Sequence, residues 1–285
     1  MTIKAKNNFM KKLFIALCLL TLPLAYGHGQ LTASGVMGSD GYSVLRARFD
    51  TGVLFIPGLK MHLGYALAQQ DGISDMSRYS AGLAYDIPFI DLLEVGAQGG
   101  WQPKANQYSN YWYDVYAALN LHEVLFRLAP VDALKLSLGY RHTYHTFHHT
   151  TPNTNVQQGD IYATLFQRTG GFDASVTYAK AINYQGDTSY NPPWLDVPGF
   201  VSVASGYLDY SLGANAGYTY KFIRPYAAYT LLKRKNLSET DTFGMGLVVQ
   251  LAGISVNGAV EWFNFSRNTE FRERFFSFSA GVSFL

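Results

Sequence analysis

Beyond Cys18 the 285 residues contain no cysteine, so no disulfide can hold the folded chain together and its stability must come from another source. Charge is also sparse: Asp, Glu, Lys and Arg make up only 15% of the residues, low for a chain that keeps its whole surface in water. Neither a basic stripe nor a long block of like charge occurs, which argues against a nucleic-acid partner and against a disordered charged tail. Past the first 27 residues no stretch approaches 18 consecutive apolar residues, which excludes a helical membrane protein. The motifs GxSxG and HExxH and the phosphate-binding loop are missing as well.

What is present begins with Lys4, Lys6, Lys11 and Lys12, followed by the apolar run LFIALCLLTLPLA and the small residues Ala25 and Gly27. This is the layout of a secretory signal peptide, and residues 1–27 are set aside as cleaved. Cys18 sits inside that run with Leu17 before it, where a lipid-anchored N-terminus would need a small residue. Four of the 22 Lys and Arg leave with the leader and none of the 20 Asp and Glu, so the remainder, residues 28–285, carries a formal charge of −2.

The whole chain is rich in Tyr (21), Phe (19) and Gly (27), and the remainder alternates apolar with polar residues in segments of about ten, broken by turn residues. Leu45, Ala47, Phe49 and Val53 oppose Arg46, Arg48 and Asp50; Leu59, Met61, Leu63 and Tyr65 oppose Lys60, His62 and Gly64. The same period recurs through the chain to the ending RFFSFSAGVSFL, where Phe276, Phe278, Val282 and Phe284 share one parity and Ser277, Ser279, Gly281 and Ser283 the other. The segment GDIYATLFQRT carries apolar residues on both parities; Ile161, Ala163 and Leu165 are assigned outward. Helical spacing is weak and confined to EVLFRLAPVDAL.

The connections alternate in length. IPG, PFID, Gly170–Gly171, FIRP and Ala252–Gly253 are short; QQDGISDM, QPKANQYSN, HHTTPNTNVQQ, GDTSYNPPWLDVPGF, KRKNLSETD and SRNTEFRER are long. Short turns at one end and long loops at the other, with the connection near 123 to 132 as the exception, predict an all-β, closed antiparallel transmembrane barrel. Thirteen strands are countable from Ser43 onward, and an even number requires GQLTASGVM to be a strand too, giving 14, or 12 if a pair merges.

The signal peptide, the alternation and the ending SFSAGVSFL together resemble the Gram-negative outer-membrane β-barrel proteins as a class. The resemblance implies an outer-membrane location, contact with outer-membrane lipid, and insertion by the barrel-assembly machinery, which reads an outward aromatic residue at the terminus. Here Phe284 is penultimate and Leu285 follows.

A barrel of this width exceeds what side chains alone can fill, so water is expected inside. The expected inward charges include Lys60, Arg78, Lys135, Arg168 and Lys221 against Asp86, Glu94, Asp160 and Asp173. Arg46, Arg48, Asp50, Asp114, Arg141, Asp209 and Glu261 are the candidates for lining the middle and upper lumen. Mixed signs predict weak ion selectivity. The function expected is porin-like passive diffusion of small polar solutes without a cofactor, with Trp194 in NPPWLDVPGF as a possible loop gate. Two alternatives stand beside it: a closed barrel serving as a structural or partner-binding anchor, and a lipid-modifying enzyme using outward His142. YRHTYHTFHH splits its histidines between parities and has no cysteine or clear carboxylate beside it, so it is expected to be a polar loop and not a metal site.

Overall fold

The structure, a computed structural model, describes residues 29–38, 42–53, 56–70, 73–87, 92–122, 131–149, 152–193, 206–264 and 273–284. The expected leader, residues 123–130 of the weakly helical segment, and Trp194 lie outside them. Fourteen strands follow one another: β1 (Gly29–Met37), β2 (Ser43–Gly52), β3 (Leu59–Gln70), β4 (Ile73–Asp86), β5 (Leu93–Ala105), β6 (Tyr108–Asn120), β7 (Ala133–Phe147), β8 (Thr154–Thr169), β9 (Phe172–Gln185), β10 (Leu208–Tyr218), β11 (Ile223–Arg234), β12 (Thr240–Leu251), β13 (Ile254–Phe263) and β14 (Arg274–Phe284). Each pairs antiparallel with its neighbours in sequence, and β14 pairs with β1 to close the barrel. GQLTASGVM is β1, and the count is 14.

Alternation turns the molecule inside out relative to a water-soluble domain. On the outward parity large apolar side chains stay uncovered: Leu83 at 51%, Leu138 at 51%, Met245 at 51%, Val256 at 53% and Phe276 at 56%. Ile161 and Leu165 are on this face too, while the apolar side chains of the opposite parity in β8, Tyr162 and Phe166, point inward. Both faces of β8 are therefore apolar because its inner side chains fill space, which is why its pattern alone was ambiguous.

The seam is built by nine rungs from Gly29–Phe284 to Met37–Phe276. At its middle Phe278 lies across Gly35, where an added Cβ would stand 2.4 Å from the ring. An aromatic ring covering a glycine on the partner strand shields backbone that would otherwise be bare.

One end, here called lower, carries the two-residue turns Gly170–Gly171 and Ala252–Gly253, all four residues at positive φ, which type I′ hairpins require. The upper end carries the β7–β8, β9–β10 and β13–β14 connections (148–153, 186–207 and 264–273), and at the lower end the β6–β7 connection, 121–132, departs from the rule of short turns. Two connections expected to be long are not. β3 runs to Gln70 and β4 starts at Ile73, and β5 joins β6 through Asn106 and Gln107 alone, at φ 50° and 58°. Strand continues where loop was expected, so β4 to β9 are 13 to 16 residues long and the wall rises higher there than at β1, which has 9. YRHTYHTFHH is likewise mostly strand, β7 reaching Phe147. At the lower end FIRP belongs largely to β11, and Lys221, expected inside, sits in the preceding turn at φ 54°.

A bulkier residue at the seam should weaken closure. Gly35→Leu must displace Phe278 and is expected to cost about 1–3 kcal/mol. The check is urea titration of the fast-migrating folded band on unheated gels; an unchanged midpoint would contradict the packing described.

Candidate functional site

The lumen has two unlike halves. Along β4 to β9 the inner face carries long polar and aromatic side chains bonded to one another. Arg141 pairs with Asp114 at 3.2 Å, and the Tyr162 hydroxyl donates to the same carboxylate at 2.6 Å. The Arg141 guanidinium also lies over the Trp112 ring, 4.7 Å from its centroid. Asp114 is 1% exposed, so its charge is tolerated only because Arg141 and Tyr162 replace the water it lost. Above it Gln102 accepts from Asn110 at 3.2 Å, Asn110 donates to the Tyr108 hydroxyl at 2.9 Å, and that hydroxyl meets His145 Nδ1 at 2.7 Å. Gln158 donates to Asp160 at 2.7 Å.

Glycines on the adjacent strand make room for the rings. Tyr162 lies flat on Gly139 and Tyr116 on Gly96, where a Cβ would stand 2.2 and 2.4 Å away. The top of this half is closed by Tyr108, Phe147, Val156 and Tyr207, with Tyr184 and Tyr190 against them. Tyr190 and Tyr207 come from the two ends of the β9–β10 connection, whose first turn is bound by Asp187 accepting the Ser189 backbone N–H at 2.9 Å. That bond holds the exposed Asp187 carboxyl below the usual carboxylate range.

At the lower mouth of the same half, Lys60 bridges Asp86 at 2.8 Å and Glu94 at 3.0 Å, and Lys135 approaches Glu94 at 3.6 Å. These groups border a cavity of about 600 Å³ that also reaches Phe166.

From β9 round to β2 the inner face is different. Ser175, Thr177, Gly213, Ala228, Thr230, Gly244, Ala259, Ser277 and Ser279 leave a cavity of about 330 Å³ against the wall. Its charged lining is Arg46, Arg224 and Glu261. Arg224 forms an ion pair with Asp173 and donates to Asn215 at 3.3 Å. The sequence reading missed Arg224 by placing it in a turn; its shared parity with Tyr226, Ala228 and Thr230 was the available signal.

The seven candidates from the sequence thus separate. Arg46 and Glu261 face the cavity among small residues. Asp114 and Arg141 belong to the packed half as a buried brace, with Trp112 and Tyr162 packed against them. Arg48 and Asp50 bind each other along one strand at 2.7 Å, with Asp50 two residues from the lower end of β2 and so below the level expected for it. Asp209 falls at a register shift between Leu208 and Tyr210 at the upper end of β10.

On the outer wall His142 stacks on Tyr113 and meets Tyr144, with ring centroids 5.4 and 4.5 Å apart. Its Nδ1 contacts the Tyr140 hydroxyl at 2.9 Å and its Nε2 the Gln157 amide oxygen at 3.3 Å, so both nitrogens are engaged and neither meets a serine. Among the described residues no group of three His, Cys, Asp or Glu is placed to hold a metal ion.

No family profile matches the sequence, and no curated protein does. Solved structures do resemble the fold. CdiB from Acinetobacter baumannii aligns with 90% of this chain and 60% of its own, at 10% identity and a TM-score of 0.53, so the chain spans less than two thirds of that protein. The outer membrane protein Omp33 of Acinetobacter baumannii aligns over 90% of this chain and 98% of its own, at 8% identity and a TM-score of 0.52. The Pseudomonas putida toluene transporter TodX aligns over 92% and 90%, at 10% identity and a TM-score of 0.50. At these identities the likeness is one of fold: a closed barrel of the outer-membrane kind.

The two charge pairs should differ sharply when broken. Asp114→Ala removes the carboxylate paired with the buried Arg141 and is expected to cost about 3–5 kcal/mol, whereas Asp50→Ala, at an exposed pair, should cost about 1 kcal/mol or less. Equilibrium unfolding from lipid vesicles measures both, and equal costs would contradict the division into a packed and a wet half.

Proposed function

We propose that the chain is an outer-membrane channel of a Gram-negative bacterium through which small polar solutes diffuse passively, along the β9–β14 and β1–β2 side of the lumen. The observation that carries this reading is the contrast in side-chain size across one barrel. The apolar outer face suits lipid, and a closed sheet leaves no backbone group unpaired within it. Ser, Thr, Gly and Ala on the inner face of β9 to β14 keep that side open, and their hydroxyls replace part of the hydration of a passing solute.

The lining also argues the chemical class. Hydroxyls, the Asn215 and Asn257 amides and groups of both charges suit hydrated polar molecules, unlike the hydrocarbon named for TodX. Arg46 and Arg224 face Asp173 and Glu261 in near balance, so no ring of one sign selects strongly for anions or cations. The aromatic cluster lies over the β6–β9 half, so the proposed passage is off-centre.

Planar-bilayer recording tests the reading. The purified protein is expected to give stepwise conductance with a reversal potential near zero in a salt gradient. Ala228→Trp, which puts a large ring into the open side, should lower the step size. Glu261→Gln should shift the reversal potential toward anion preference and Arg46→Gln toward cation preference. A silent barrel across voltage and pH would refute the channel and favour the anchor.

A further inference from the structure

One strip of the outer wall departs from the apolar rule. Lys180 on β9, Tyr210 on β10 and Lys233 on β11 are consecutive ladder partners on the outward parity. Adjacent strands are about 4.8 Å apart, so the two lysine backbones stand roughly 10 Å apart with the tyrosine between them. Directly below lies an apolar rung, Tyr178, Leu212 and Leu231, the first two more than 40% exposed. Lys233 Nζ donates to the Leu237 carbonyl at 2.9 Å, while Lys180 is exposed and has no polar partner among the described residues.

The placement is specific in height. Outward-facing basic residues of the described strands are Lys180, Lys233 and Arg274, and all three lie at the upper end. Two outward acids of the described strands at that end are engaged by other side chains. Asp75 accepts from Gln69 on the far side of the barrel, and Asp241, beside β11, is 1% exposed and accepts from Tyr229 at 3.2 Å. A register shift between Leu208 and Tyr210 re-aims the rung relative to the ladder below it.

We propose that Lys180, Tyr210 and Lys233 bind the phosphorylated headgroup of an outer-leaflet glycolipid whose acyl chains lie on Tyr178, Leu212 and Leu231. The proposal rests on the membrane-spanning reading above, in which the end with the longer connections faces outward. Two ammonium groups flanking a phenol offer charge-assisted bonds to phosphate oxygens and a hydrogen bond to a sugar hydroxyl. A cationic rung set at the upper limit of an apolar belt lies where lipid headgroups lie, and a soluble anion would have no use for the apolar rung beneath.

The full-length barrel, purified from outer membranes, is washed in detergent and its retained phosphorylated glycolipid counted by native mass spectrometry. It is then reconstituted with diphosphorylated glycolipid, with the same lipid after phosphatase treatment, or with the diphosphorylated form plus inorganic phosphate. Retention by the wild type, a roughly tenfold or greater loss in Lys180→Gln/Lys233→Gln, and preserved retention in Lys180→Arg/Lys233→Arg are expected. Equal retention by the Gln variant, equal binding of the dephosphorylated lipid, or complete displacement by inorganic phosphate would each overturn the proposal. Fractionation of the wild type tests the membrane reading separately, and bilayer conductance of the Gln variant should match the wild type because neither lysine faces the lumen.

Discussion

Everything in this molecule depends on the closing of one sheet upon itself. A backbone N–H or C=O facing hydrocarbon has no water to bond, and only a continuous ladder without edges removes that cost. The ladder closes between β1 and β14, where Met37 meets Phe276 and Gly29 meets Phe284. Once it closes, side-chain parity decides the rest: Phe276 and Val282 must be compatible with lipid, and Ser277 and Ser279 with whatever fills the lumen.

The lumen answers that second demand in two ways. In the tall half, charge is made tolerable by pairing: Asp114 is held by Arg141 and Tyr162, and glycines such as Gly139 let the rings lie flat against the wall. In the other half space is kept by small side chains, and Arg224 meets the opposite charge of Asp173. The same barrel is thus braced by bonded aromatic and amide side chains on β4 to β9, while small side chains of β9 to β14 leave a cavity beside Arg46, Arg224, Tyr226 and Glu261.

The strand count, the closing strand and the outward parity were legible because each rests on a strict period of two over lipid, where a slip of one residue would put Phe276 or Leu83 inside. Even β1, short and rich in Ser, Gly and Thr, was forced by the parity of the count. The upper halves of β4 to β8 were not legible. Above the belt both faces meet polar surroundings, so Gln102, Asn110, Thr143, His145 and Gln158 carry no alternation, and the stretch about Asn106–Gln107 looked like a loop although it is a two-residue turn. The site was legible as a set of inward charges but not as an arrangement. Whether Asp114 lines water or braces a wall depends on its cross-strand neighbours Arg141 and Tyr162, and so on register, which single strands do not specify. Arg224 was lost to a boundary shift at the turn before β11.

The central claim is that water occupies the β9–β14 side of the lumen at mid-height and not the packed middle of the β4–β9 side, above the cavity at its lower mouth. Because Cys18 lies in the expected leader and no other cysteine exists, single cysteines can be read without background. Labelling of Ala228→Cys, Ala259→Cys and Ala179→Cys in lipid vesicles by a small, charged, membrane-impermeant thiol reagent tests the claim most directly. Rapid modification at positions 228 and 259 with protection at 179, which is fully buried, is the predicted result. Equal protection at all three, or equal modification at all three, would contradict it.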